Sequence, residues 1–172
     1  ISVRYKSHQI KDYLRNGKDF NINLKYLNEK KPLGTIGCLS LIKHKSKLPF
    51  IVINGDIVTK VNLSELINFH VSSKSFVTTV VKNYIVQNPY GVVDIVSNKI
   101  KRINEKPKYT SQVLAGIYVF DPKVLQFIKS NESIDIPMLL TKLIKKNKKI
   151  TAFPIHEEIH EFANINDIKN YK

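Results

Sequence analysis

PFIVINGDIV, residues 49–58, is the stretch on which the fold turns. Phe50, Ile51, Val52 and Ile53 form an unbroken apolar run that stops at Asn54-Gly55-Asp56. A run this short, bounded by a turn signal, predicts a strand buried on both faces; a half-exposed strand would alternate with polar residues. Gly55 lets the backbone turn sharply at the strand end. Asp56 is then left at the carboxyl edge of a sheet, where open α/β sheets bind their ligands. A carboxylate there is a hard oxygen ligand suited to Mg²⁺. The alternative is an Asp that caps the next helix.

Working outward, apolar periodicity predicts strands at 1–5, 21–27, 75–81, 92–96, 99–103, 112–120 and 150–155. It predicts helices at 8–15, 35–43, 62–70, 122–128 and about 135–146, with a last helical turn at 167–171. Ile10, Tyr13 and Leu14 supply the inward side of the first helix, and Asn16-Gly17 its C-cap. Pro122 suits the first turn of a helix. The strands at 92–96 and 99–103 flank Ser97-Asn98 and read as a hairpin. Strands that alternate with helices, with one hairpin inserted, predict an α/β layered sheet, mostly parallel with antiparallel additions. Residues 1–172 read as a single domain, with no internal repeat or linker.

Composition narrows the function. No stretch of 18 apolar residues is present, so no membrane span is expected, and the first fifteen residues do not read as a signal peptide. The formal charge of +14 invites a nucleic-acid reading. The lysines are spread along the chain, however, and the densest group, Lys142 to Lys149, falls at a helix end that favours cations. With no RNP-like aromatic motif or zinc knuckle, nucleic acid is not an expected partner; phosphorylated small molecules suit the same charge. A single Cys38 excludes an internal disulfide and fits a reducing, cytoplasmic compartment.

Three further segments carry candidate chemistry. Residues 29–37, EKKPLGTIG, read as a strand–loop–helix junction in which Gly34 permits close approach of a ligand and the helix amides favour polar groups; a plain glycine kink is the alternative. Gly91 opens a strand without a side chain in the way, and so accommodates a flat ligand or merely turns the chain. Glu105-Lys106-Pro107 sets a hydrogen-bond acceptor for hydroxyls beside a point charge for phosphate, with solvated surface charge as the alternative. His156-Glu157-Glu158-Ile159-His160 matches the H-E-x-x-H pattern of zinc proteases, which needs both His on one helix face and a third ligand. An apolar strand and Pro154 precede it directly, Ala163 and Asn166 stand where the extended form needs Gly and His, and little chain follows, so zinc hydrolysis is not the expected chemistry.

Taken in order, ISVRYKSHQIKDYL, EKKPLGTIG, FIVINGDI, NPYGVVDI, INEKP, AGIYVF, DIPMLL and FPIHE resemble the sugar nucleotidyltransferases, which join a sugar 1-phosphate to a nucleoside triphosphate. NGDIVTKVN, YGVV and FPIHE look most like the branch that makes nucleotide-linked aminosugars for nonulosonate (legionaminic acid-type) synthesis, usually with GTP. The resemblance implies a three-layer, Rossmann-like sheet of the nucleotide-diphospho-sugar transferase type. It implies that Asp56 holds the catalytic Mg²⁺ and that Lys106 is catalytic. Glu29 and Gly34 would line the base pocket, Gly91, Glu105 and Lys106 would hold the sugar phosphate, and Ala115 and Gly116 would wall the sugar pocket. The family's second metal carboxylate is an Asp in Trp-x-Asp-Ile-Gly; aligned without gaps, Glu161 stands there, with Ile159 for the Trp and Phe162-Ala163 for Ile-Gly. The family's G-G-x-G-T-R-L loop, which binds the triphosphate, occurs nowhere in these residues, so the domain is expected to be N-terminally incomplete, lacking its first strand, that loop and the following helix.

The resulting expectation is a nucleotidyltransferase that uses an NTP and a sugar 1-phosphate. The alternative from another class is a non-catalytic sugar-nucleotide-binding or regulatory subunit. A metal-dependent glycosyltransferase would need Asp-x-Asp where Asn54-Gly55-Asp56 stands. An incomplete sheet is also expected to leave strand edges open, and with them self-association into a homo-oligomer.

Overall fold

The computed structural model describes residues 1–43, 46–162 and 164–171. In chain order the elements are β1 (Ser2–Val3), α1 (Ser7–Leu14), β2 (Leu27–Asn28), α2 (Gly34–Gly37), β3 (Phe50–Ile53), β4 (Ile57–Thr59), α3 (Leu63–Ser72), β5 (Val77–Gln87), β6 (Val92–Val96), β7 (Lys99–Asn104), β8 (Lys108–Phe120), α4 (Ile136–Lys145), β9 (Ile150–Pro154), β10 (Ile159–Glu161) and α5 (Ile165–Asn170). Three short 3₁₀ turns, Lys18–Phe20, Cys38–Leu41 and Pro122–Phe127, join them.

The apolar run at 50–53 is a strand in the central sheet, whose order is β3-β8-β5-β9. Alternate residues of its strands enter two separate cores. Phe50 and Val52 pack with Tyr118, Phe120, Leu139 and Leu143 on the face covered by α2 and α4. Ile51 packs with Ala115, Ile117, Val119 and Leu66 on the face covered by α3. A sheet apolar on both faces must be covered on both, and this produces the three layers. Helix α3 starts where expected, with the Asn62 side chain accepting the N–H groups of Ser64 and Glu65.

Three of the four central strands, β3, β5 and β9, share one direction, and β8 runs against β3 and β5. The mostly parallel set of the sequence reading is therefore threaded by an antiparallel strand. That strand is antiparallel because it returns from the β6–β7 hairpin inserted after β5. Strands β5 and β8 are longer than the periodicity predicts. Beyond Val81 and Leu114 they pair with each other as a ribbon out to Gln87 and Lys108, exposed on both faces.

Other expectations are corrected. Residues 21–26 are not a strand: Asn21 is left-handed at φ 55°, and Ile22 and Leu24 donate back to the carbonyls of Gly17 and Asn16, wrapping the loop onto the preceding turn. Helix α1 forms but buries none of its residues. Its chain reversal begins at Arg15, φ 48°, ahead of Asn16-Gly17. The helix expected over 35–43 shortens to α2 and a 3₁₀ turn, in which the Ser40 hydroxyl donates to the Gly37 carbonyl and competes with the helical ladder. Strands β1 and β2 pair in parallel with each other and stand apart from the central sheet; among the described residues, β3 pairs only with β8.

Candidate active site

The carboxyl ends of β3, β5 and β9 lie along one edge of the sheet, because the three strands share a direction. Just beyond β3, the Asn54 N–H donates to the Gly116 carbonyl at 2.9 Å, and the Asp56 carbonyl accepts the Phe162 N–H at 2.9 Å. These two bonds pin the 54–56 turn between β8 and β10 and leave the Asp56 side chain exposed. Gly55 has nothing within 4 Å of the space a Cβ would take, so the ground beside Asp56 is open.

Glu161 reaches the same edge through β10, which pairs antiparallel with β4 and sets Glu161 opposite Ile57, the residue after Asp56. Its carboxylate is not free: Lys82 Nζ, at the point where β5 leaves the core, lies 3.1 Å away. Burial, and then the Glu161 charge, push the Tyr118 phenol above its ordinary value. Gly116, at φ +71° in a bulge of β8, lacks a side chain because Ile57 and Asn54 occupy its space. Ala115 is fully buried in the α3-side core. Both therefore support the 54–57 segment and offer no open wall to a ligand in this structure.

A second group forms at the base of the β6–β7 hairpin. A Cβ on Gly91 would come within 2.9 Å of Glu105 Oε2, so the glycine makes room for that carboxylate. Lys106 follows at φ 46°, exposed, before the buried Pro107, whose carbonyl accepts the Asn88 N–H at 3.0 Å. From Lys82 to this group the ribbon runs roughly 17 Å at the usual strand rise. A third group holds Glu29 and Gly34. The Glu29 carboxylate accepts from the Ser2 hydroxyl and from the Leu33 N–H, tying β1 to the loop ahead of α2. Gly34, at φ +73°, backs against the Ile134 carbonyl and Asp135. The α2 amides expected to be free for a ligand are taken: Thr35 donates to Asp135 Oδ1 at 2.9 Å and Ile36 to the Ile134 carbonyl.

Along β4 and β10 runs a cleft of about 920 Å³ with Glu161, His156, His160 and Lys60 in its walls. The H-E-x-x-H residues lie in a loop and a strand, not on a helix, and His160 is paired with Glu158 at 3.4 Å. Among the described residues no three His, Cys, Asp or Glu side chains are arranged to hold a metal, so the zinc-protease constellation is not formed. Ala163 lies outside the described residues. A hydrated cation that takes one protein carboxylate and the oxygens of a phosphate ligand does fit Asp56. Sequence reasoning did not single out Lys82, the charge that ends the β-branched run at 77–81.

The family profile described as "Nucleotidyl transferase" matches residues 1–157. Among curated proteins, a mannose-1-phosphate guanylyltransferase catalytic subunit beta of Drosophila melanogaster is 34% identical over 136 residues, covering 75% of this chain and 37% of its own. A mannose-1-phosphate guanyltransferase 2 of Candida glabrata is 30% identical over 160 residues, 88% of this chain and 44% of its own. The chain thus spans less than half the length of these relatives. A Bacillus anthracis structure assigned as a glucose-1-phosphate thymidylyltransferase superposes with a TM-score of 0.72 at 20% identity, covering 98% of this chain and 73% of that one. At that identity the likeness speaks to the fold.

Proposed function

The chain belongs to the nucleotidyl transferase family, and from that premise we propose that it is the greater part of a domain that joins the nucleotidyl group of an NTP, GTP first, to a sugar 1-phosphate. The curated relatives named above are guanylyltransferases of mannose 1-phosphate. The motif resemblance favours an aminosugar 1-phosphate of nonulosonate synthesis. The phosphate class is common to both acceptors.

The observation that carries this reading is the pinned turn at 54–56, which in a chain of this family puts an exposed carboxylate at the carboxyl edge of the sheet. In the reaction an oxygen of the sugar phosphate attacks the α-phosphorus in line, the bond to the β-phosphate breaks, and pyrophosphate leaves. No covalent enzyme intermediate is needed, and positioning with electrostatic stabilisation supplies most of the rate. A divalent cation held by Asp56, with Mg²⁺ the ion of choice, would supply charge neutralisation at the phosphates. Lys106 offers its ammonium to the sugar phosphate, Glu105 accepts from hydroxyls, and Gly91 keeps their approach open. Glu29 and Gly34 shape the base pocket by fixing the 29–34 loop, and Ala115 and Gly116 support the sugar side from behind Asn54 and Ile57. The relatives carry the names of catalysts, so the non-catalytic alternative is not taken further.

The test is pyrophosphate release by the full-length parent, supplied with each NTP and a panel holding mannose 1-phosphate and aminosugar 1-phosphates. GTP with one member of the panel is expected to give turnover. No release from any pair would overturn the reading.

A further inference from the structure

Strands β6 and β7 form a two-stranded sheet of their own, and all six residues of β7 are exposed. A hairpin of this kind is marginal in water until one face is covered. Its register sorts the side chains, because residues directly opposite each other share a face, as do residues two apart along a strand. Val93 pairs with Ile103 and Ile95 with Ile100, so these four stand on one face, between 41% and 64% exposed. Asp94 pairs with Arg102, and Val96 with Lys99, on the other face. The irregularity after Asp94 produces this sorting: it skips Lys101, which regular pairing would set opposite Ile95, and brings Ile100 there instead.

We infer that the face of Val93, Ile95, Ile100 and Ile103 is where a second copy of this chain docks, hairpin against hairpin about a two-fold axis. The four side chains leave open on the order of 400 Å² of apolar surface, the size at which an exposed patch marks an interaction site. Interfaces are a little over half apolar, so this is the core of roughly 700 Å² per partner, close to the ~800 Å² of a stable complex. Charge allows the approach. Each chain carries a formal +14, but Asp94, Lys99 and Arg102 point away from the contact. The aliphatic face ends at Ile103, against Gly91, so Ile95 and Ile100 near the hairpin tip lie outside the group proposed for the sugar phosphate. The contact is also separate from the outer edge of β3, and it does not depend on which reaction the domain performs.

Sedimentation equilibrium of the full-length parent, over a series of concentrations, is the test, with melting curves to follow the fold. The parent is expected to be a dimer. Ile95→Lys combined with Ile100→Lys sets like charges against each other across the two-fold and should raise the dissociation constant by roughly a hundredfold. Val96→Lys adds a charge one residue along, on the other face, and should leave the constant unchanged. If the lysine pair prevents folding, Ile95→Thr with Ile100→Thr keeps the strand propensity and should weaken the dimer about tenfold. A parent that stays monomeric overturns the inference. So does a dimer indifferent to both pairs of substitutions, whose interface then lies elsewhere, the β3 edge included. A double variant that keeps the parent's mass but melts at lower temperature would show that the parent's own chain covers this face, and that result also overturns it.

Discussion

Asp56 is exposed on a turn pinned by two backbone bonds, so its side chain can be changed without disturbing the core. Asp56→Asn in the full-length parent is expected to lower kcat/KM by about 10²–10³ while shifting stability by no more than about 0.5 kcal/mol. Activity assays paired with urea denaturation check both halves; a large fall in stability would make the residue structural instead. Gly116 predicts the opposite balance. At φ +71°, with Ile57 and Asn54 packed into the space of a Cβ, Gly116→Ala is expected to cost about 1–3 kcal/mol. A denaturation midpoint equal to that of the unsubstituted chain would refute this. Both residues stood out in the sequence, Asp56 by its place after an apolar run and Gly116 by resemblance alone. The reason for the glycine, a contact with a strand some sixty residues earlier in the chain, had no local signal.

At the scale of elements, α3, β5 and β9 are joined by a buried polar chain. His70 Nδ1 lies 2.9 Å from Thr78 Oγ1, which lies 3.0 Å from Thr151 Oγ1, and Ser75 completes the chain at 2.8 Å from Thr151. Burial lowers the His70 pKa from its ordinary 6.5, and the Asp121 charge opposes the shift without outweighing it. A group whose folded value is depressed contributes stability above its unfolded value and loses it as pH falls through the folded one. The chain is therefore expected to lose thermal stability below about pH 6.5, and a His70→Gln variant should show a flatter profile. Melting temperatures followed from pH 8 to 5 decide it; parallel profiles would remove His70 as the cause. The helix containing His70 was legible from the apolar periodicity of 62–70, since periodicity is local, and the structure added its Asn62 cap. The polar chain was not, because it needs the register of Thr78 on Thr151, which no propensity encodes. The alternation at 21–27 misled for the same reason: it describes a strand only when a partner strand accepts it.

For the molecule as a whole, two outcomes follow from what the 172 residues contain. They carry no G-G-x-G-T-R-L loop, the segment to which the resemblance assigns the triphosphate. The isolated chain is accordingly expected to show no nucleotidyl transfer, since removing even one well-placed donor of this kind costs about 10²–10³ in rate. A kcat comparable to that of the full-length parent would show that the triphosphate is held elsewhere. Strand β3 also has an unpaired outer edge among the described residues, with Ile53 43% exposed at its end. Unpaired edges template association, so the isolated chain should sediment as oligomers, and Ile53→Lys should shift it towards monomer. A monomer at all concentrations would count against the edge.

The sequence by itself determined what depends on neighbours along the chain. The apolar run at 50–53 had to be a strand covered on both sides, Asn62 had to start a helix, and Val92 to Ile103 had to fold back as a hairpin around Ser97-Asn98. Only the tertiary structure decided which strand lies beside which. It threaded β8 between β3 and β5, extended β5 and β8 into a ribbon, and brought Lys82, Asp56 and Glu161 from three separate segments to one edge. Propensity and periodicity act over a few residues, whereas strand register is set by burying both faces of a sheet at once. That condition belongs to the folded chain and to no single stretch of it.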